Sequence, residues 1–170
     1  AKLFDAEKPG RLPKVVVPVL LCGQPCDMQA IHALAQKYGF RIVEDASHAI
    51  GGKYQGQFIG NGRYSDITIF SFHPVKIITS GEGGMALTND PVLAECMAMV
   101  RSHGITRDAE RMRWWKGDAQ VGQPSQEPAA WYYEQQLLGF NYRMTDLQAA
   151  LGLSQLQRIQ QYVQRRNQLA

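Results

Sequence analysis

Two residues of this sequence, Lys76 and Asp45, have the types and settings that chemistry needs. Lys76 closes the run Phe70-Ser71-Phe72-His73-Pro74-Val75-Lys76, just after an apolar, β-rich stretch (Ile67, Thr68, Ile69, Phe70) and just before Gly81-Glu82-Gly83-Gly84. Asp45 ends an earlier apolar run. A lysine attacks a carbonyl when a sheltered pocket lowers its pKa. A pyridoxal phosphate (PLP) cofactor needs such an amine, an acid to face its ring nitrogen, and hydroxyls or amides to hold its phosphate. Lys76, Asp45 and Ser71 are residues of those types. Taken alone, Asp45 reads as a turn or helix cap, and the glycines after Lys76 as a tight turn or a close approach of bare backbone.

The elements around these residues must bring them together. Val15 to Leu21 is a continuous valine-rich run and reads as a strand buried on both faces of a parallel sheet. Asp27 is placed to cap a helix carrying Met28, Ile31, Leu34, Ala35 and Tyr38 on one face, with Gly39 as its stop. Arg41 to Ala46 is a second strand, ending in Glu44-Asp45. Ser47 to Tyr64 is loop-like with a short hairpin around Gly56. Asp66 to Phe72 and Gly84 to Thr88 are further strands. Asn89-Asp90-Pro91 opens a helix running to about His103. Thr145 and Gln148 have capping-box spacing for a last helix, whose stripe is Leu147, Leu151, Ile159, Tyr162 and Val163. Open α/β sheets gather ligand groups at the carboxyl edge, so Asp45 and the Ser71–Lys76 stretch are expected to meet there. The domain reading is a linker or helix tail over 1–13, part of a large domain over 14–144 with a long loop at about 105–135, and a helix over 145–170.

Composition narrows the function classes. The 170 residues are 45% hydrophobic, which is globular, and 18 basic against 15 acidic residues leave a charge of +3, suited to an anionic small ligand. Arg107, Arg111, Arg113 and Lys116 cluster beside Trp114 and Trp115. A solvated loop explains that group better than an RNA-binding patch, so no nucleic-acid partner is expected. No stretch is apolar enough to span a bilayer, and Ala1-Lys2-Leu3-Phe4-Asp5 does not have the character of a signal peptide. Cys22, Cys26 and Cys96 are odd in number, and no second pair has zinc spacing, so free thiols in a reducing cytoplasm and no metal are expected. His48 and His73 are ambiguous, although His48 gains weight from standing three residues after Asp45. Asn141-Tyr142-Arg143 fits a helix cap and an anion site equally.

Four segments occur together and in order: Val43-Glu44-Asp45-Ala46-Ser47-His48-Ala49-Ile50-Gly51, Phe70 to Lys76, Gly81 to Gly84, and Gly139-Phe140-Asn141-Tyr142-Arg143-Met144. This set resembles the DegT/DnrJ/StrS-type sugar aminotransferases over nearly the whole chain. It looks most like the branch that aminates C4 of a UDP-linked 4-keto-6-deoxy-HexNAc sugar on the route to pseudaminic acid. Ser47 to Tyr54, Arg101 to Asp108 and Trp131 to Gln136 are similar to that branch.

The resemblance implies an α/β fold, the central part of the large domain of PLP fold type I, with a mostly parallel sheet flanked by helices. It implies Lys76 as the catalytic amine that carries the cofactor and moves the substrate proton. It also implies Asp45 against the ring nitrogen, His48 near the ring hydroxyl and Ser71 on the phosphate. Asn141 would reach the phosphate of a neighbouring subunit, making a homodimer with shared active sites. The partners implied are a nucleotide-sugar substrate and glutamate or glutamine as amino donor. Two departures stand out. Leu20 replaces a histidine of many relatives. The family's upstream phosphate-binding turn, ring-stacking aromatic and C-terminal small domain are missing, so these 170 residues alone are expected to bind PLP poorly and to be inactive. The rival readings are a PLP-dependent sugar dehydratase, which Lys76 opposes, and a non-catalytic PLP-binding regulator or inactive truncated homologue. A Rossmann dehydrogenase lacks its Gly-x-Gly-x-x-Gly here.

Overall fold

The computed structural model describes residues 11–113 and 130–170. The chain divides into two compact units, Ala1–Asp90 with Met144–Ala170, and Pro91–Arg143. The first holds a four-stranded sheet in the order β1-β2-β5-β6. β1 (Val15–Val16), β2 (Arg41–Asp45) and β5 (Ile67–Ser71) run parallel, and β6 (Gly84–Leu87) pairs antiparallel with β5. The sheet is mostly parallel, as expected.

The expectation of a doubly buried strand at 15–21 fails. Only Val15–Val16 form regular strand, followed by a lone bridge from Val19 to Asp45 and a 3-10 turn at Leu21–Gly23. Val15, Val17, Val19 and Leu21 are exposed, while Pro18 and Leu20 are buried. The reason is position: β1 is the sheet's edge, and Pro18 has no N–H for the ladder. The carbonyl of Pro18 still serves, accepting from the Asp45 N–H at 2.9 Å, and the Leu20 N–H donates to the Asp45 carbonyl at 2.9 Å.

α1 (Met28–Tyr38) forms where predicted, with the Asp27 side chain accepting from the Ala30 N–H and Gly39 closing its end. Met28, Ile31, Ala35 and Tyr38 turn to the core, while Leu34 lies at the exposed rim. Leu20, Met28, Ile42, Phe70, Phe72 and Ile78 make that core. Burying each large side chain stabilises by roughly 1.5–3 kcal/mol relative to exposure. β3 (Lys53–Tyr54) and β4 (Gln57–Phe58) form the expected hairpin, turning through Gln55 and Gly56 at φ 49° and 78°.

The sheet is two-sided in character. Ile42, Glu44, Thr68 and Phe70 are buried, whereas Val43, Asp45, Ile67, Ile69 and Ser71 are half-buried or exposed. Alternation along β2 and β5 puts Asp45 and Ser71 on this second, more open face.

The last helix divides in two, contrary to the single stripe expected. α3 (Asp146–Leu156) opens on the Thr145–Gln148 capping box and α4 (Ile159–Leu169) follows a break at Gln157 and Arg158. Ile159 and Tyr162 pack on the core, but Leu147 is 85% exposed. No helix-breaking residue stands at the break. No helix among the described residues is long and apolar enough to cross a membrane.

In the second unit, α2 (Pro91–Arg101) stops two residues before His103, which adopts φ 60°. β7 (Ile105–Thr106) pairs antiparallel with β8 (Glu134–Gln135), so the ends of the 105–135 segment are joined. Arg111 forms an ion pair with Glu95 and Arg107 is exposed. Trp114, Trp115 and Lys116 lie outside the described residues, as do residues 1–10 of the expected linker.

Candidate active site

The carboxyl ends of β2 and β5 lie side by side. Asp45 is in register with Ile69, and the next N–H, that of Ala46, donates to the Ile69 carbonyl at 2.9 Å. Asp45 is thus held by the Pro18–Leu20 backbone on one side and β5 on the other. Its carboxylate Oδ1 accepts the Ser47 N–H at 3.1 Å. Its pKa lies below the usual aspartate value, chiefly through the Ser47 side-chain hydrogen bond; burial opposes this, and the Ser47 N–H, His48 and Lys76 act in the same direction as the hydroxyl. Asp45, His48 and Lys76 therefore stand within electrostatic reach of one another. His48 Nδ1 accepts a backbone N–H, from Cys22 at 3.2 Å.

Lys76 is half-buried in a turn that β5 launches. Its N–H donates to the His73 carbonyl at 3.0 Å. The turn closes on Phe72, whose carbonyl accepts from the Ser80 N–H (3.0 Å) and the Thr79 hydroxyl (2.8 Å), while the Phe72 N–H donates to Gly83 (2.8 Å). α3 braces it from far along the chain. Gln155 Oε1 accepts the Thr79 N–H at 2.9 Å, and Gln148 Nε2 donates to the Glu82 carbonyl at 3.1 Å. Ser71 ends β5, half-buried, with Oγ accepting the His73 N–H at 3.4 Å.

A cavity of about 1240 Å³ opens here, with His48, Lys76, Cys22, Lys53, Tyr54 and Arg166 among its walls. Asp45 and Ser71 are not part of that lining. Asn141 belongs to the second unit, where it is exposed and bridges to Ser102. Its helix-cap alternative is settled, because Thr145 caps α3. Cys22, Cys26 and Cys96 are free thiols.

The residues fit the cofactor that the sequence suggests. A carboxylate favoured in its charged form is what a protonated ring nitrogen requires, a half-buried amine lies within its field, and Ser71 shares the sheet face with Asp45. These features are of the kinds a PLP site on an α/β sheet requires.

The DegT/DnrJ/EryC1/StrS aminotransferase family matches residues 7–170, and the chain belongs to it. GDP-perosamine synthase of Caulobacter vibrioides is 38% identical over 156 residues, which are 92% of this chain and 36% of that protein. The structure of Helicobacter pylori PseC, an aminotransferase involved in the biosynthesis of pseudoaminic acid, superposes with a TM-score of 0.72 at 31% identity, covering 88% of this chain and 34% of that one. The Spr1654 sugar aminotransferase of Streptococcus pneumoniae matches in its PMP form (TM-score 0.72, 31% identity, 91% and 40% covered) and its PLP form (0.68, 29%, 91% and 39%). The chain spans little more than a third of the length of the curated relatives it matches. The fold expected from the resemblance is therefore present, and pyridoxal phosphate is the cofactor of this family.

Sequence reasoning missed several supporting groups. Ser47 was readable, since a serine two residues after an aspartate often closes a local turn. The Cys22 N–H, Gln155 and the cavity-lining Arg166 left no local signal, because each acts across a fold-made contact.

Proposed function

We propose that the whole protein is a PLP-dependent aminotransferase that moves an amino group from glutamate or glutamine to C4 of a UDP-linked 4-keto-6-deoxy-HexNAc sugar, in pseudaminic acid or related nucleotide-sugar biosynthesis. The observation that carries this reading is Asp45, stabilised as an anion, within the field of Lys76 at the end of two parallel strands. Bound PLP supplies an electron-withdrawing ring that eases breakage of the substrate C–H bond. Asp45 keeps a proton on the ring nitrogen. Lys76 Nζ would hold the cofactor and would take up and return the proton at the reacting carbon. The Ser71 hydroxyl and the Asn141 side-chain amide bind phosphate oxygens, with Asn141 serving the neighbouring subunit of a homodimer. His48 faces the ring hydroxyl. A cytoplasmic setting accords with the free thiols.

A second reading places GDP on the sugar, favoured by the 38% identity to GDP-perosamine synthase. Both are tested on the full-length protein. PLP addition should give a visible absorption band, and borohydride reduction followed by peptide mapping should mark Lys76. Lys76→Ala should fold normally and lose the band. A panel of UDP-, dTDP- and GDP-linked 4-keto sugars with glutamate then selects the nucleotide. An adduct on another side chain refutes the site, and PLP binding without any turnover supports a non-catalytic protein.

A further inference from the structure

α3 turns an unusual stripe toward the lysine turn. Its half-buried residues are Gln148, Gly152 and Gln155, spaced four and three apart on one face, while Leu147, Leu151, Leu153 and Leu156 are exposed. A helix held by packing alone would bury its leucines. The two glutamines instead offer groups of opposite sense. Gln148 Oε1 accepts the Thr145 N–H at 3.0 Å and the Thr145 hydroxyl at 3.1 Å in the capping box. That fixes the amide so that Nε2 donates to the Glu82 carbonyl at 3.1 Å. Gln155 Oε1 accepts the Thr79 N–H at 2.9 Å. Between them, a Cβ on Gly152 would stand 3.7 Å from Ser80 Cβ. Ser80 is 2% exposed, its Oγ donates to the Glu82 carbonyl at 2.7 Å, and its N–H closes the turn on the Phe72 carbonyl at 3.0 Å. Lys76 stands midway between Phe72 and Ser80.

We infer that Gln148 and Gln155 are positioning residues for Lys76, one as a donor and the other as an acceptor, which together hold the far arm of its turn and so place the amine. Neither touches the reacting atoms; both act through the backbone of residues 79–82. The inference rests on the PLP reading for the chemistry that the placed amine performs.

The test makes one replacement, Gln→Glu, at both positions of the full-length protein. Glutamate keeps an acceptor and loses the N–H donor. Gln148→Glu therefore preserves the capping box but sets a carboxylate against the Glu82 carbonyl. Gln155→Glu preserves the acceptor for Thr79. Two quantities are read: the rate at which saturating PLP becomes attached to Lys76, followed by its visible band and by borohydride trapping, and amide exchange at Thr79 without cofactor. Gln148→Glu is expected to slow attachment by about 10²-fold, the scale of a misplacement of about 1 Å, with an unchanged urea midpoint. Gln155→Leu should slow attachment and expose Thr79 to exchange, and Gln155→Glu should recover most of both. Attachment at the wild-type rate in Gln148→Glu, or equal losses in Gln155→Glu and Gln155→Leu, overturns the inference. So does slowing that merely follows each variant's loss of urea stability, which marks a structural role. Should Gln148→Glu fail to fold, Gln148→Ala keeps the N–H that donates to the Thr145 hydroxyl and must show the same slowing. Attachment needs neither amino donor nor sugar, so its outcome is separate from that of the aminotransferase reading. Exchange at Thr79 decides the acceptor role even where the wild type forms no adduct.

Discussion

Thr68→Val removes one buried hydroxyl that bonds both Glu44 (2.8 Å) and Ser65 (3.0 Å) beneath the site. Thr68 is 1% exposed, and its Oγ1 donates to Glu44 Oε2 at 2.8 Å; the Ser65 hydroxyl reaches the same oxygen at 3.4 Å. Glu44 is 7% exposed and precedes Asp45 on β2, facing the other side of the sheet. Valine keeps the shape of threonine, so the packing change is small and the lost hydroxyl dominates. A hydrogen bond to a charged group contributes about 1.5–3 kcal/mol. Ser65 remains as a longer partner, which sets the expected loss near 2 kcal/mol. With a urea m-value of about 1–3 kcal/mol/M, the midpoint should fall by roughly 1 M with m unchanged. Glu44→Gln and the double variant complete a cycle whose coupling should exceed about 0.5 kcal/mol for groups in contact. A Thr68→Val midpoint equal to the wild type, or strictly additive variants, would refute the assignment of this bond.

Two further expectations concern acid stability and the lysine turn. Asp45 and Asp66 both have lowered pKa values; for Asp66 burial is the largest influence and opposes its charge, but the Ile42 N–H (2.7 Å) and Arg41 (2.6 Å) more than offset it. Carboxyls with depressed folded-state pKa values stabilise fully above their unfolded value of about 4, and the benefit disappears as pH falls through the folded value. Urea midpoints should thus drop below about pH 4, less steeply in Asp66→Asn; an identical acid slope in that variant contradicts the account. Gln155→Leu removes the acceptor of the Thr79 N–H and should cost about 1 kcal/mol with faster amide exchange at Thr79; unchanged protection there means the brace is idle.

Local signals in the sequence were reliable where one element decides the outcome. Asp27 and Thr145 cap the helices they precede, and the Gln55-Gly56 turn forms its hairpin. Asp45 and Lys76 reach one region because strand order brings β2 and β5 together, which parallel-sheet reasoning anticipates. The failures came where a neighbour decides. The valines before Leu21 resemble a central strand, and only the sheet order makes them an edge. Leu147 has the period of a core residue but no element packs over it among the described residues. The hydrogen bond that His48 accepts comes from a backbone amide 26 positions away, which no motif records.

The brace on the lysine turn also sets an order of events at the ribosome. Thr79 and Gln155 are 76 positions apart, and Glu82 and Gln148 are 66 apart. At about 5–20 residues per second, synthesis takes roughly 3–15 s to cover such intervals. Throughout that time the nascent Lys76 has its strand but not its clasp, so its turn is completed late, after the second unit has been translated.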